Sequence, residues 1–85
     1  MNMEYHTLVF DTEVGEEDVR VFEQCEGVVG VSGYSNAVNI YYKNPLGKQE
    51  VMALLAVVHC LKEFGINLVS TDIDEMHASI YPEIY

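Results

Sequence analysis

Basic residues are scarce: four Lys and Arg stand against fourteen Asp and Glu in 85 residues, a formal net charge of −10. A chain so anionic repels phosphate backbones and anionic bilayers, which argues against direct nucleic-acid binding and against membrane attachment. Cysteine is scarce too. Cys25 and Cys60 lie 35 residues apart, so no Cys-x-x-Cys pair exists, and two thiols in one small domain read as unbridged side chains in a reducing compartment. There is no basic-then-apolar leader and no eighteen-residue uncharged run. The expected location is therefore cytoplasmic. Internal repeats, linkers and low-complexity tracts are missing as well, which leaves a single domain over residues 1–85.

What remains is 49% apolar, enough for one core, and it is patterned. "MEYHTLVF" (3–10) alternates, with His6, Leu8 and Phe10 on one side and Tyr5, Thr7 and Val9 on the other, which predicts a strand. "GEEDVRVFEQCE" (15–26) places three acids where a helix dipole is positive, then Val19, Phe22 and Cys25 at three-residue spacing, which predicts a short amphipathic helix closed by Gly27. "VVGVSGY" (28–34) and "AVNIYYK" (37–43) read as a hairpin about Ser35-Asn36, with Asn36 expected at positive φ. After the "NPLG" turn (44–47), residues 48–64 form a strong helix stopped by Gly65. "INLVST" (66–71) is a fourth strand, and alternation in "MHASIY" (76–81) suggests a fifth, ended by Pro82.

The order βαββαβ with one added C-terminal strand predicts an α+β, ferredoxin-like two-layer sandwich, strand order 4-1-3-2, with both helices on one face. The stretch "EGVVGVSGYSNAVNIYY", the helix after it and "FGI" resemble heavy-metal-associated domains of copper chaperones, a similarity spanning residues 8–66. That family carries Met-x-Cys-x-x-Cys in the loop after strand one, where two thiolates at a helix N-terminus hold Cu(I). Here the loop is shorter and reads "TEVGEEDV", and neither cysteine falls on a motif position. The resemblance thus implies the fold and leaves the metal behind: no metal and no cofactor is expected.

Other chemistry lacks support. "DIDEMH" offers Asp72, Asp74, Glu75 and His77 to a divalent cation, yet four polar residues at a hairpin tip also describe a solvated turn. "PLGK" lacks the glycines and hydroxyl of a phosphate loop. His59 and Cys60 are neighbours on a helix and so point about 100° apart, a poor nucleophile and base. No carboxylate pair sits in an apolar stretch, and the chain is not expected to be an enzyme.

Surfaces are more telling. The sheet face away from the helices should display Tyr5, Tyr34 and Tyr41, with Tyr81 beside them. RNA-recognition motifs stack bases on such a face, but with a basic surround that this chain lacks. Tyrosine is also an interface residue, and the outer side of the second helix, with Met52 and Ala56, is apolar enough to suggest a partner or a homodimer. Asp11, Glu13, Glu16, Glu17 and Asp18 should gather at one pole, with only Lys43 and Lys48 nearby, and Asp72, Asp74 and Glu75 at the other. Together these residues predict a non-catalytic, acidic regulatory module whose partner is a protein with a basic surface. Its sharpest form is an inhibitor that imitates nucleic acid, as some phage-encoded antagonists do. The alternative is a metal carrier or small-molecule sensor built on the copper-chaperone architecture.

Overall fold

The structure, a computed structural model, describes residues 4–77. Its elements are β1 (Glu4–Phe10), α1 (Glu16–Val21) continued by a 3-10 turn (Phe22–Gln24), β2 (Val28–Tyr34), β3 (Ala37–Tyr42), α2 (Lys48–Glu63), β4 (Leu68–Thr71) and a second 3-10 turn (Asp74–Met76). The four strands form one antiparallel sheet in the order β2-β3-β1-β4. This is a small α+β domain compatible with a ferredoxin-like arrangement.

Period-2 alternation puts Leu8, Phe10, Val38, Ile40 and Tyr42 on one sheet face, where all five are buried. Helical spacing brings Val19 and Phe22, and Val51, Leu54, Val58 and Leu61, down onto that face to make a single core. Each fully buried Leu, Ile or Phe in it contributes about 1.5–3 kcal/mol relative to exposure. The second helix ends as its sequence implies, with Gly65 at a φ of 86°, whereas the first helical segment is over by Gln24 and Gly27, at a φ of 85°, serves the turn into β2 instead. At α2 the N–H groups of Gly65 and Ile66 bond back to the carbonyls of Lys62 and Leu61 (3.0 Å each), a Schellman closure. At the front of α2, Glu50 reaches back to accept the Gly47 N–H at 2.9 Å.

Four expectations need correction. The first helix covers six residues instead of twelve, because the β-branched and aromatic Val19-x-Val21-Phe22 run supports helix weakly and the chain tightens into a 3-10 turn as Phe22 is driven inward. At the hairpin, Ser35 carries the positive φ (59°). Asn36 is otherwise engaged: its side chain donates to the Phe10 carbonyl at 2.9 Å and its own carbonyl accepts the Phe10 N–H at 2.8 Å. A fifth strand does not begin at Met76. That residue is fully buried in a 3-10 turn packed against α2, while 78–81 lie outside the described residues, as does Tyr81.

The fourth correction concerns charge. β3 runs antiparallel to β1, pairing Val9 with Ala37 and Glu4 with Tyr42, so the chain leaves β3 at the pole opposite Asp11. Lys43 and Lys48 therefore do not accompany Asp11–Asp18. Lys48 shares its surroundings with Glu75 instead.

Candidate functional site

No helix covers the second face of the sheet among the described residues, and its side chains fall into rows. Tyr5 and Tyr41 are cross-strand partners whose rings lie 5.5 Å apart at an angle of 32°, with Tyr5 58% exposed. Next along the strands, the Thr7 hydroxyl donates to Asn39 Oδ1 at 2.7 Å and Asn39 Nδ2 reaches Ser32 Oγ at 3.5 Å, a polar row across β1, β3 and β2. Beyond it lies Tyr34, opposite Ala37 at the hairpin end and 81% exposed. The sheet thus brings Tyr5 and Tyr41 together and sets Tyr34 apart, at the far end of the same face.

The predicted acids divide into two kinds. Glu13, Glu16 and Glu17 are exposed and Asp18 is half-buried, and of these only Glu16 meets a cation, Arg20 Nη2 at 3.5 Å, among the described residues. Such an exposed i,i+4 pair contributes only about 0.3–0.5 kcal/mol. Asp11, by contrast, accepts from the backbone and side chain of Asn67, and these bonds, the side-chain one foremost, hold its carboxyl below the usual aspartate range. Asp72 accepts the Thr7 N–H at 3.0 Å and faces His6 Nδ1 at 3.3 Å, so it too serves the fold. Asp74 and Glu75 are exposed on the second 3-10 turn, at the other pole.

Between α1 and the outer edge of β2 runs a cleft of about 450 Å³ lined by Glu13, Glu16, Val19, Glu23, Val31 and Gly33, among others. Glu16, Val19, Arg20 and Glu23 share one helical face there, at positions i, i+3, i+4 and i+7. Neither Glu23 nor the cleft was among the expected surfaces. The signal was present in the expected strand order, which leaves β2 at an edge, and in the absence of charge or proline from "VVGVSGY".

The thiols stand apart from one another in kind. Cys25 is buried, its Sγ directed at the Ala53 carbonyl at 3.7 Å, and burial pushes its thiol up, away from the reactive thiolate. Cys60 is exposed on α2. Among the described residues no three His, Cys, Asp or Glu side chains converge on a point that would hold a metal ion. No helix among them is long and apolar enough to cross a membrane. Compared with protein-family models and with curated proteins, the chain matches none.

Proposed function

We propose that the chain is a non-catalytic, acidic binding module of the cytoplasm that engages a protein with a basic surface and acts by covering it. The observation that carries this reading is the sheet face that no helix covers among the described residues, with Tyr5 and Tyr34 exposed and Tyr41 half-buried beside Tyr5, set in a chain of net charge −10. Tyrosine offers large amphipathic contact area at low conformational cost, so these rings supply affinity, while the carboxylates of the α1 pole set the sign of the partner and speed the encounter. Bases could stack on the same rings, but the surrounding charge repels their phosphates. The sharpest version is an inhibitor that occupies the nucleic-acid-binding surface of its target. The fold reading that accompanies it is a ferredoxin-like sandwich, supported by the strand order and the two helices sharing one core. Its likeness to heavy-metal-associated domains is taken as one of architecture.

The test is affinity capture from cell extract on the tagged full chain, eluted with rising salt, followed by competition of each captured protein against its nucleic acid in a mobility-shift assay. The expected proteins are basic, leave the resin between about 0.1 and about 0.5 M salt as screening sets in, and lose nucleic acid when the chain is added. Retention indifferent to salt, or captured proteins without basic surfaces, would count against the reading.

A further inference from the structure

We infer that the outer edge of β2 receives an extended basic segment of the partner, paired as a further strand of the sheet; this rests on the proposal above that the partner is basic. Among the described residues no strand lies beyond β2. A bulge interrupts its register between Val28 and Gly30, and the remaining stretch, Gly30–Tyr34, reads Gly-Val-Ser-Gly-Tyr, with none of the charges or prolines that usually blunt an edge. The opposite edge, β4, is only four residues long. In an antiparallel ladder alternate residues of the edge strand turn their N–H and C=O groups outward, so β2 offers unpaired backbone donors and acceptors over those five residues.

The cleft beside this edge has the size and lining for a strand. Val19 of α1 sits directly over Gly33, where an added Cβ would lie 2.8 Å from Val19 Cγ2, so the missing side chain lets the helix close one wall without covering the strand backbone. A strand laid there would alternate its side chains. One set would face α1 and meet Glu13, Glu16 and Glu23; the other would lie beside Ser32 and Tyr34 on the uncovered face. Arg20, the one cation lining the cleft, is already directed at Glu16. The matching segment carries Lys or Arg at every second position, with small, β-branched or aromatic residues between, and main-chain bonds provide the affinity as in other strand-addition complexes. A second copy of this chain fits less well, because edge-to-edge pairing would set two groups of Glu13, Glu16 and Glu23 against each other.

The probe is a synthetic octapeptide with arginine at alternate positions and threonine or valine between, titrated into the full chain by calorimetry, with amide exchange followed by NMR. In the free monomer alternate amides within Gly30–Tyr34 exchange freely, and bound peptide slows them about tenfold or more. N-methylation of one alternate set of peptide residues abolishes binding and of the other set does not. The double variant Glu13→Gln/Glu23→Gln weakens binding about fivefold or more and flattens its salt dependence. Salt-dependent binding that tolerates both N-methylated peptides and leaves the β2 amides unchanged would overturn the edge pairing while leaving the basic-partner reading intact. No binding at low salt would overturn it too, and the capture experiment then decides the broader reading alone. Protected β2 amides in the free chain, or a dimeric mass in sedimentation, would show the edge already occupied and would equally end the inference.

Discussion

Asp11 and Asn67 close the seam between the end of β1 and the start of β4 with three hydrogen bonds: Asp11 N–H to the Asn67 carbonyl (2.8 Å), Asn67 N–H to Oδ1 (3.0 Å) and Asn67 Nδ2 to Oδ2 (2.9 Å). Two of them go to the ionised carboxylate, which is why its pKa lies below the usual aspartate value. Their stabilising effect is fully present above the unfolded aspartate value and disappears as pH falls through the lowered folded one. Asp11→Asn turns the Oδ2 acceptor into a donor facing Asn67 Nδ2. The variant should melt at a lower temperature than the parent near neutral pH and show a shallower decline between about pH 5 and about pH 2. Melting curves across that range check both; parallel curves would mean the clamp does not titrate.

Gly33 is required by what packs on it. A methyl group added there would press on Val19 at 2.8 Å, and Val19 is the one buried side chain of the six-residue helix. Gly33→Ala should cost about 1–3 kcal/mol through overpacking. Combined with Val19→Ala it should cost less than the sum of the two single changes, because the second removes the clash that the first creates. Urea unfolding of the four-member cycle measures the coupling; simple additivity would place the strain elsewhere.

Most of this fold was legible because it is local. The alternation of Tyr5 to Phe10 and of Val38 to Tyr42 sorted the sheet faces, and Gly65 marked where the second helix stops. The roles of the acids were not legible, since a carboxylate reads as surface whatever it bonds to. Asp11 is tied to a residue 56 positions away and Asp72 to one 65 away, separations that no local pattern encodes. Lys43 was misplaced because the strand leading to it reverses direction relative to β1. Ser35 and Met76 were misread for a related reason: Asn36 is held by β1, and the core claims Met76, so tertiary contacts outweigh turn preference and alternation.

Tyr42 is a buried phenol whose oxygen has no hydrogen-bond partner among the described residues. Burial raises its pKa far above the ordinary tyrosine value, and negative charge on Cys25 and Glu50 adds to the shift. Because the folded value exceeds the unfolded one, the associated stability holds below the unfolded tyrosine pKa and is lost as pH rises beyond about 10. Tyr42→Phe removes an unsatisfied polar atom without opening a cavity. It should leave stability unchanged or raise it by about 1 kcal/mol, and should delay alkaline unfolding. Denaturant titrations at neutral and alkaline pH test both; a large loss would reveal a bond to the hydroxyl.

Asp72 stands where β4 has ended, and its carboxylate accepts the Thr7 N–H that a longer strand would have bonded. Its side chain is 56% exposed, so water and salt temper the interaction. Asp72→Ala should cost about 0.5–1.5 kcal/mol and speed exchange of the Thr7 amide, whereas Asp72→Asn, which keeps an acceptor oxygen, should cost less. Equal effects of the two substitutions would assign the stabilisation to charge, with His6 Nδ1 at 3.3 Å as the recipient.

Tyr5 and Tyr34 separate binding from folding. Both rings are more exposed than buried, so their removal forfeits little core, although Tyr5 also loses its contact with Tyr41. A cross-strand aromatic pair contributes about 0.2–1 kcal/mol, and Tyr34 has no ring partner among the described residues. Tyr5→Ser should therefore lower the melting temperature by a few degrees and Tyr34→Ser by less, whereas each should weaken capture of a basic partner about tenfold if the rings anchor the contact. A variant that folds as the parent does and binds as tightly would remove the sheet face from the interface. The carboxylates of the β2 cleft would then be left as its contact surface.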